Sequence, residues 1–186
     1  MDLIKELEMY EPWNEQEAED VQELLRRLKS GEELYLRDNR SAHLTASAWV
    51  TDPERGKILM AYHNLYDSWS WLGGHADGDK DLLAVAVREV CEESGVTKVR
   101  PISEKIFSVE ILTVDGHEKK GKYVPSHLHL NITYLLEADP EEAVHCKIDE
   151  NSQVGWFSPE EAVKASTEPW FQERIYRKLN EKLRSF

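Results

Sequence analysis

Three glutamates lie within five positions of the segment REVCEESG, where Glu89, Glu92 and Glu93 follow Arg88 and precede Gly95. On a helix they share an arc of about 100°. Carboxylates repel one another at this spacing and are disfavoured at a helix C-terminus, where the macrodipole is negative. A divalent cation would make this clustering of negative charge favourable. Mg²⁺ and Mn²⁺ prefer hard oxygen ligands and leave other coordination positions to water and phosphate. The cluster therefore predicts a metal site.

The surroundings of the cluster favour this interpretation over an ordinary charged surface. One to two turns earlier the same arc holds Leu82, Val85 and Ala86, so it is not a uniformly solvated face. The preceding loop, WLGGHADGDKD, contains a glycine pair at positions 73–74 that lets the backbone approach a ligand closely. Its three aspartates, at positions 77, 79 and 81, are expected mainly to cap the helix and form turns.

Loop and helix together resemble the Nudix box of Nudix hydrolases, written GX5EX7REUXEEXGU with U apolar. Gly74 matches the first glycine, the Arg-Glu-Val at 88–90 matches REU, the glutamates at 92–93 match EE, and Gly95 and Val96 match the closing pair. Lys80 stands where the pattern has its first glutamate. The resemblance extends over about residues 41 to 165.

The resemblance implies an α/β (α+β) fold, the Nudix-type α/β/α sandwich with a mixed sheet. It also implies hydrolysis of a diphosphate linkage in a small molecule of the nucleoside-diphosphate-X type. Mg²⁺ or Mn²⁺ would be held by Glu89, Glu92 and Glu93. Glu92 or Glu93 would act as the base, and Arg88 would orient a glutamate or the loop.

The lysine at position 80 leaves alternatives open. It cannot pair with Arg88, and Asp81, two turns earlier on nearly the same face, could stand in for the missing glutamate. A non-catalytic ligand-binding sensor is one alternative to the hydrolase. An isopentenyl-diphosphate isomerase-like enzyme is the other, although such enzymes rely on a catalytic cysteine and Cys91 is poorly placed for that role.

Further residues are candidates for substrate binding. We expect Trp69 and Trp71 mainly to pack in the core, with stacking on a flat group of the substrate as the alternative, and His75 could reach a phosphate from the loop after Gly74. In HLHLNIT, His129 shares one strand face with the histidine at 127. Two histidines could bind zinc, but no further Cys or His lies at suitable spacing. We therefore expect a cleft-facing strand, or else a solvent-exposed one.

One acidic residue outside the box needs a separate interpretation. Glu150 lies on a loop before Trp156, where some members of the family supply another metal ligand or base. The alternative is a solvent-exposed turn acid, which we favour.

The chain order predicts two parts. Residues 1–40 form a helical extension that packs on the main domain or on a second subunit, which makes a homodimer possible. Its main helix has a capping-box pattern at Asn14 and Glu17 and ends near Ser30. Residues 41–186 form the Nudix domain, with strands at HLTASAWV, KILMAYH, KIFSVEILTV and HLHLNITYLLEA. Its later helices begin at Ser158 and run through the C-terminal segment.

Composition excludes several classes of protein. The 186 residues carry a net charge of −13 and show no basic stripe, which argues against binding a nucleic-acid polymer. No stretch approaches a membrane span, and the acidic N-terminus lacks the features of a secretory signal. Cys91 and Cys146 do not form a C-x-x-C motif, so we expect reduced thiols in a cytoplasmic protein.

Overall fold

The computed structural model describes residues 2–119 and 121–186. In this part of the chain one curled sheet has eight strands, and a separate hairpin pairs two short ones. The sheet strands are β1 (Ala42–Thr51), β2 (Ile58–His63), β3 (Ser68–Ser70), β4 (Leu72–His75), β5 (Val99–Pro101), β6 (Ser108–Val114), β9 (His127–Ala138) and β10 (Asn151–Phe157), and the hairpin is β7 (His117–Lys119) with β8 (Lys122–Val124).

The sheet is mixed, as predicted. Its main path runs β10-β2-β1-β9-β5, with β3 paired to β2, β4 to β1 and β6 to β9. The pairing of β1 with β9 is parallel, whereas the other pairings are antiparallel. The two longest strands therefore lie side by side at the centre, although they are far apart in the sequence.

Helices cover both faces of the sheet. They are α1 (Leu3–Glu8), α2 (Glu15–Lys29), α3 (Leu82–Ser94), α4 (Pro159–Ala165) and α5 (Arg177–Leu183), the last preceded by a π-helical segment (Phe171–Tyr176). Ala48 and Val50 of β1 belong to a hydrophobic cluster with α1, α2 and α3, whereas Trp49 belongs to one with α4 and α5. Because successive strand residues point to opposite faces, the arrangement is an α/β/α sandwich.

The N-terminal helices pack on the sheet of their own chain, which is one of the two predicted outcomes. Leu3, Leu7, Val21 and Leu24 are buried in the same cluster as the strands. Helix α2 ends at Ser30, as predicted. The division of the chain into residues 1–40 and 41–186 remains a prediction.

The predicted capping box of α2 is only half formed. Asn14 Oδ1 accepts a hydrogen bond from Glu17 N at 3.0 Å. The Glu17 carboxylate instead accepts from Trp13 N at 2.7 Å and from Lys182 Nζ at 2.9 Å, because it is drawn into a buried ion cluster. The capping box at Ser158 is complete, as predicted.

Helix α3 begins and ends where the sequence predicts. Asp81 is its N-cap and accepts from Ala84 N at 3.0 Å. Gly95 terminates it with a φ of 75°, the left-handed conformation that glycine adopts without strain. Cys91 and Cys146 are free thiols. Among the described residues, no helix has the length and apolar character needed to cross a bilayer.

Candidate active site

A cleft of about 1140 Å³ opens beside the C-terminal half of α3. Its floor is the polar half of one sheet face, where His43, Thr45 and Ser47 alternate along β1 with buried apolar residues. Its walls include the glutamates of α3, the glycine loop of β4 and the segment before β10. Most of the predicted site residues therefore meet this floor in one cavity, whereas Arg88 and Trp69 do not line it.

The carboxylate arc of α3 is directed toward the sheet. Glu93 is only 6% exposed and accepts a hydrogen bond from Gly73 N at 3.0 Å. Burial raises the pKa of Glu93 to about 8, with further contributions from Glu89 and Glu150. Burial also raises the pKa of Glu89. Two of the three predicted ligands thus lie in an environment that disfavours their own negative charge.

The glycine pair is required by close packing. A Cβ atom on Gly74 would lie 2.5 Å from Cδ of Glu89, and one on Gly73 would lie 2.5 Å from the carbonyl oxygen of Ala46. The loop can therefore lie against both α3 and β1 only if it carries no side chains there. This contact fixes the position of Glu89 relative to the cleft.

Glu92 is exposed and has a partner that the sequence interpretation did not include. Lys147 Nζ lies 3.3 Å from Glu92 Oε2 and 2.9 Å from Glu150 Oε2. Glu150 lines the same cleft, so the structure brings it to the glutamates and does not leave it as an isolated turn acid. Lys147 is separated from α3 by more than 50 residues, and no local pattern indicates its role.

Arg88 pairs with a different aspartate from the one expected. Its Nη1 lies 3.2 Å from Asp79 Oδ2, while Asp81 caps the helix. The expectation that Asp81 replaces the missing glutamate is therefore wrong, because an N-cap carboxylate is already engaged by the first turn. Lys80 is exposed. The pair between Arg88 and Asp79 joins the loop to the helix at the surface, where such a pair contributes about 0–1 kcal/mol.

Three histidines converge on the cleft floor. One ring nitrogen from each of His43, His75 and His129 lies within 4.8 Å of the others. Among the described residues, this is the group of three His, Cys, Asp or Glu side chains that lie close enough to share one metal ion. Burial lowers the pKa of His129 to about 2 and also lowers that of His43. The inference that no third histidine is available is wrong. His43 stands directly opposite His129 in the parallel pairing of β1 with β9.

The two tryptophans have different surroundings. Trp71 is 9% exposed, lines the cleft and packs edge-on against Phe171. Trp69 packs edge-on between Tyr62 and Phe157 and does not line the cleft in the described structure. Both rings pack in or against one hydrophobic cluster, in agreement with the favoured core packing, and of the two Trp71 also lines the cleft.

The fold agrees with a comparison of the sequence with known protein families. The NUDIX domain matches residues 41–179, which is most of the chain. The chain belongs to the NUDIX domain family. The match includes the whole of α3, the loop before it and the strands of the sheet.

Two curated relatives of this NUDIX chain are distant. The nucleoside diphosphate-linked moiety X motif 6 protein of Xenopus laevis is 24% identical over 116 residues, which are 59% of this chain and 50% of that protein. A probable DHNTP pyrophosphohydrolase of Lactococcus lactis is 27% identical over 143 residues, covering 76% and 81% of the two chains. The chain therefore spans half the length of the first relative.

Solved structures share the NUDIX fold at low identity. The Ap4A hydrolase of C. elegans superposes with a TM-score of 0.52 at 20% identity, over 77% of this chain and 98% of its own. The dihydroneopterin triphosphate pyrophosphohydrolase of E. coli gives 0.53 at 14% identity, over 78% and 97%. These similarities establish the fold.

Proposed function

We propose that this NUDIX chain is a metal-dependent pyrophosphohydrolase that cleaves a diphosphate linkage in a nucleoside-diphosphate-X type small molecule. The observation that carries the proposal is a pair of carboxylates on the wall of a large cleft, of which Glu89 is half-buried and Glu93 is buried. The names of the two sequence relatives, a nucleoside diphosphate-linked protein and a pyrophosphohydrolase, support the same class of substrate.

The donor set fits Mg²⁺ or Mn²⁺. Glu89, Glu92 and Glu93 offer hard oxygen atoms from one helix, which is the ligand type these ions prefer. Lys147 pairs with Glu92 and Glu150 and does not form an ion pair with Glu93 among the described contacts. The carboxylate of Glu93, the most buried of the three, has one backbone N–H as its hydrogen-bond partner among the described residues. A divalent ion bound there would offset the buried charge, shield phosphate oxygens and acidify a coordinated water.

The protein groups have separate roles in this proposal. Glu93, buried in the cleft wall, would act as the base, and Glu92 is the alternative base. The backbone at Gly74 and the ring of His75 lie where a phosphate group would enter. His129 lies on the cleft floor and Trp71 on its wall. The ion pair of Arg88 would hold the loop in register with the helix.

The setting of the enzyme is also part of the proposal. Two free thiols suit a reducing compartment, and we place the protein in the cytoplasm, acting on a small diphosphate. A homodimer through the N-terminal helices would cover the exposed side chains of Met9 and Trp13.

Turnover of a substrate panel tests the proposal. The panel contains ADP-ribose, nucleoside triphosphates, sugar nucleotides, Ap4A and dihydroneopterin triphosphate, each with Mg²⁺ or Mn²⁺. We expect phosphate or monophosphate release from at least one compound. Glu93→Gln should lose at least 100-fold in kcat and keep its fold, whereas Glu141→Gln, an exposed acid outside the cleft, should retain full activity.

Two alternatives to the hydrolase, a ligand-binding sensor and an isomerase-like enzyme, predict other outcomes. Tight nucleotide binding in calorimetry without any turnover would identify a sensor. The isomerase-like alternative depends on a cysteine at the reacting centre, and Cys91 does not line the cleft among the described residues. Folded protein that neither binds nor cleaves any panel compound would contradict the proposal altogether.

A further inference from the structure

We propose that His43, His75 and His129 form a separate metal site on the cleft floor, selective for an imidazole-preferring transition-metal ion such as Zn²⁺. The ring centroids are 5.0 Å apart for His43 and His75, 5.1 Å for His43 and His129, and 4.9 Å for His75 and His129. Three imidazoles bound to one tetrahedral ion at about 2.0–2.1 Å have centroids about 5 Å apart. The triangle thus has the size that one ion requires.

The sheet register explains how the three rings come together. His43 on β1 stands opposite His129 on β9, and His75 on β4 stands opposite Thr45, the next residue on the same face of β1. Three adjacent strands therefore each place one histidine on the same face. Strand backbones hold these positions rigidly, which is the property that a preformed metal site needs.

The hydrogen bonds of His43 leave a nitrogen for the ion. Its Nδ1 lies 3.1 Å from the backbone carbonyl oxygen of Asn39, and a carbonyl can only accept, so Nδ1 carries the proton. Its Nε2 is buried without a hydrogen-bond partner among the described residues. A buried, unpaired acceptor costs free energy that an ion would recover. A bond from the other ring nitrogen to a backbone carbonyl is common among metal-binding histidines.

A fourth histidine orients His129. His127 Nδ1 lies 2.8 Å from the carbonyl oxygen of Pro125 and so carries the proton. Its Nε2 must then accept from Nε2 of His129, 3.2 Å away. His129 is left with one unprotonated nitrogen, and its ring is held by a neighbour that does not belong to the triangle.

An anion is a poorer occupant than a cation. The N–H groups of His43 and His129 are already engaged, so donating to a phosphate would require a second proton on each of these rings, and cations about 5 Å apart in a partly buried cluster repel one another. Neutral rings offer lone pairs, and a cation among ring nitrogens within 4.8 Å of one another would be stabilised by them. Imidazole nitrogen favours Zn²⁺ and neighbouring transition metals, whereas Mg²⁺ prefers oxygen. The histidine site and the carboxylate site should therefore select different ions.

The fourth coordination position would face the cleft. Three protein ligands with one open position is the pattern of zinc sites that bind water or substrate. Gly74, the neighbour of His75, lies against Glu89, so the two proposed sites adjoin each other. A substrate oxyanion could take the open position. This last step rests on the proposed function, whereas ion binding does not.

Zinc binding to chelator-treated protein tests the site directly. The titration is done with a chromophoric competitor and with excess Mg²⁺ to cover the carboxylates. We expect one Zn²⁺ per chain, and a loss of at least tenfold in affinity for His75→Asn and for His129→Asn, both half-buried. His145→Asn, at an exposed position that is not among the residues lining the cleft, and Glu92→Gln should bind as the wild type does.

A second measurement does not depend on variants. The X-ray absorption spectrum of the Zn²⁺-loaded wild type should show nitrogen ligands at about 2.0–2.1 Å with imidazole scattering. Circular dichroism verifies that each variant is folded. An oxygen-only shell, no Zn²⁺ binding, or Zn²⁺ binding that the histidine variants leave unchanged would overturn the proposal, whether or not the protein hydrolyses any diphosphate.

Discussion

Glu93 combines properties that are individually unfavourable. It lies in the last turn of α3, where the helix dipole disfavours a carboxylate, and it is 6% exposed beside other acids. A single hydrogen bond from Gly73 N offsets part of this cost. A residue that destabilises its own fold in the absence of a ligand is common at functional sites, because the ligand compensates for it.

The first prediction concerns the stability of the metal-free protein. Between the ordinary pKa of 4.5 and the folded value of about 8, native Glu93 binds a proton that the unfolded chain does not. The free energy of unfolding should therefore fall as pH rises through this window, by up to about 1.4 kcal/mol per pH unit. Glu93→Gln should flatten this slope and be more stable than the wild type at pH 8.

Urea denaturation from pH 5 to 9 with a chelator present measures how the free energy of unfolding changes with pH in the wild type and in Glu93→Gln. Glu141→Gln serves as the control and should follow the wild-type profile. Mg²⁺ should stabilise the wild type more than Glu93→Gln, because the ion binds the carboxylate form. Identical profiles for the wild type and Glu93→Gln would show that Glu93 is not the titrating group.

The second prediction concerns Gly74. Its Cβ would lie 2.5 Å from Cδ of Glu89, so Gly74→Ala must displace that side chain or the loop. We expect a loss of about 1–3 kcal/mol in stability and at least tenfold in activity. Gly56→Ala has open space around its Cβ and should change neither. Thermal unfolding and steady-state kinetics of the two variants provide the comparison, and wild-type behaviour of Gly74→Ala would contradict it.

The three glutamates could be predicted as one cluster because a single helix brings them together. The spacing of Glu89, Glu92 and Glu93 is local, so their convergence and the apolar character of their arc follow from helix geometry. His43 and Lys147 were missed because they reach the cleft through contacts between distant segments. No periodicity within a single strand or loop encodes such contacts.

Helices and strands show the same difference between features that local sequence predicts and features that depend on contacts between distant segments. The strands at β1, β2, β6 and β9 and the bounds of α3 follow from alternation and capping, and the structure confirms them. The order of the strands does not follow, because β1 pairs in parallel with β9 after more than 70 intervening residues. The π-helical segment before α5 was also unpredicted, since its apolar spacing is typical of an α-helix.

Helix α2 is joined to the C-terminal helix by buried charges. Glu17, fully buried, lies 3.0 Å from Nζ of Lys178 and 2.9 Å from Nζ of Lys182. Burial raises the pKa of Glu17, but the two lysines outweigh it and hold the value at about 2. This depressed pKa stabilises the fold above the ordinary pKa of 4.5 and loses its effect as pH falls toward 2.

The third prediction follows from this cluster. Glu17→Gln removes the negative charge and leaves two buried lysines with less compensation, which should cost about 3–5 kcal/mol. Glu19→Gln, exposed on the same helix, should change stability by less than about 0.5 kcal/mol. Urea denaturation at pH 7 measures both. A change for Glu17→Gln as small as that for Glu19→Gln would show that the buried cluster does not stabilise the docking of α2.

At the scale of the whole molecule, buried polar contacts link the cleft floor to the N-terminal helices. Asn131, which lines the cleft, accepts from Thr45 Oγ1 at 2.9 Å and donates to Glu110 at 3.2 Å. Glu110 in turn accepts from Lys178, which also contacts Glu17 of α2. The helical extension is thus connected to the floor of the active site and is not only attached to its edge.

The fourth prediction is that residues 41–186 do not fold stably alone, although the NUDIX match begins at residue 41. Removal of residues 1–40 would uncover the surface packed against five buried side chains of that segment, Leu3, Leu7, Val21, Leu24 and Leu34. At about 1.5–3 kcal/mol for each, the loss is about 10 kcal/mol, comparable with the total stability of a typical domain.

Circular dichroism and size-exclusion chromatography of the shortened chain measure this loss. We expect an unfolded or aggregated product. Co-expression with a separate 1–40 segment should restore a folded complex, because the same buried apolar and ionic contacts can form between two chains. A monomeric 41–186 chain with the melting temperature of the full protein would show instead that the extension is an independent appendage. The polar link from α2 to Asn131 would then have no part in maintaining the cleft.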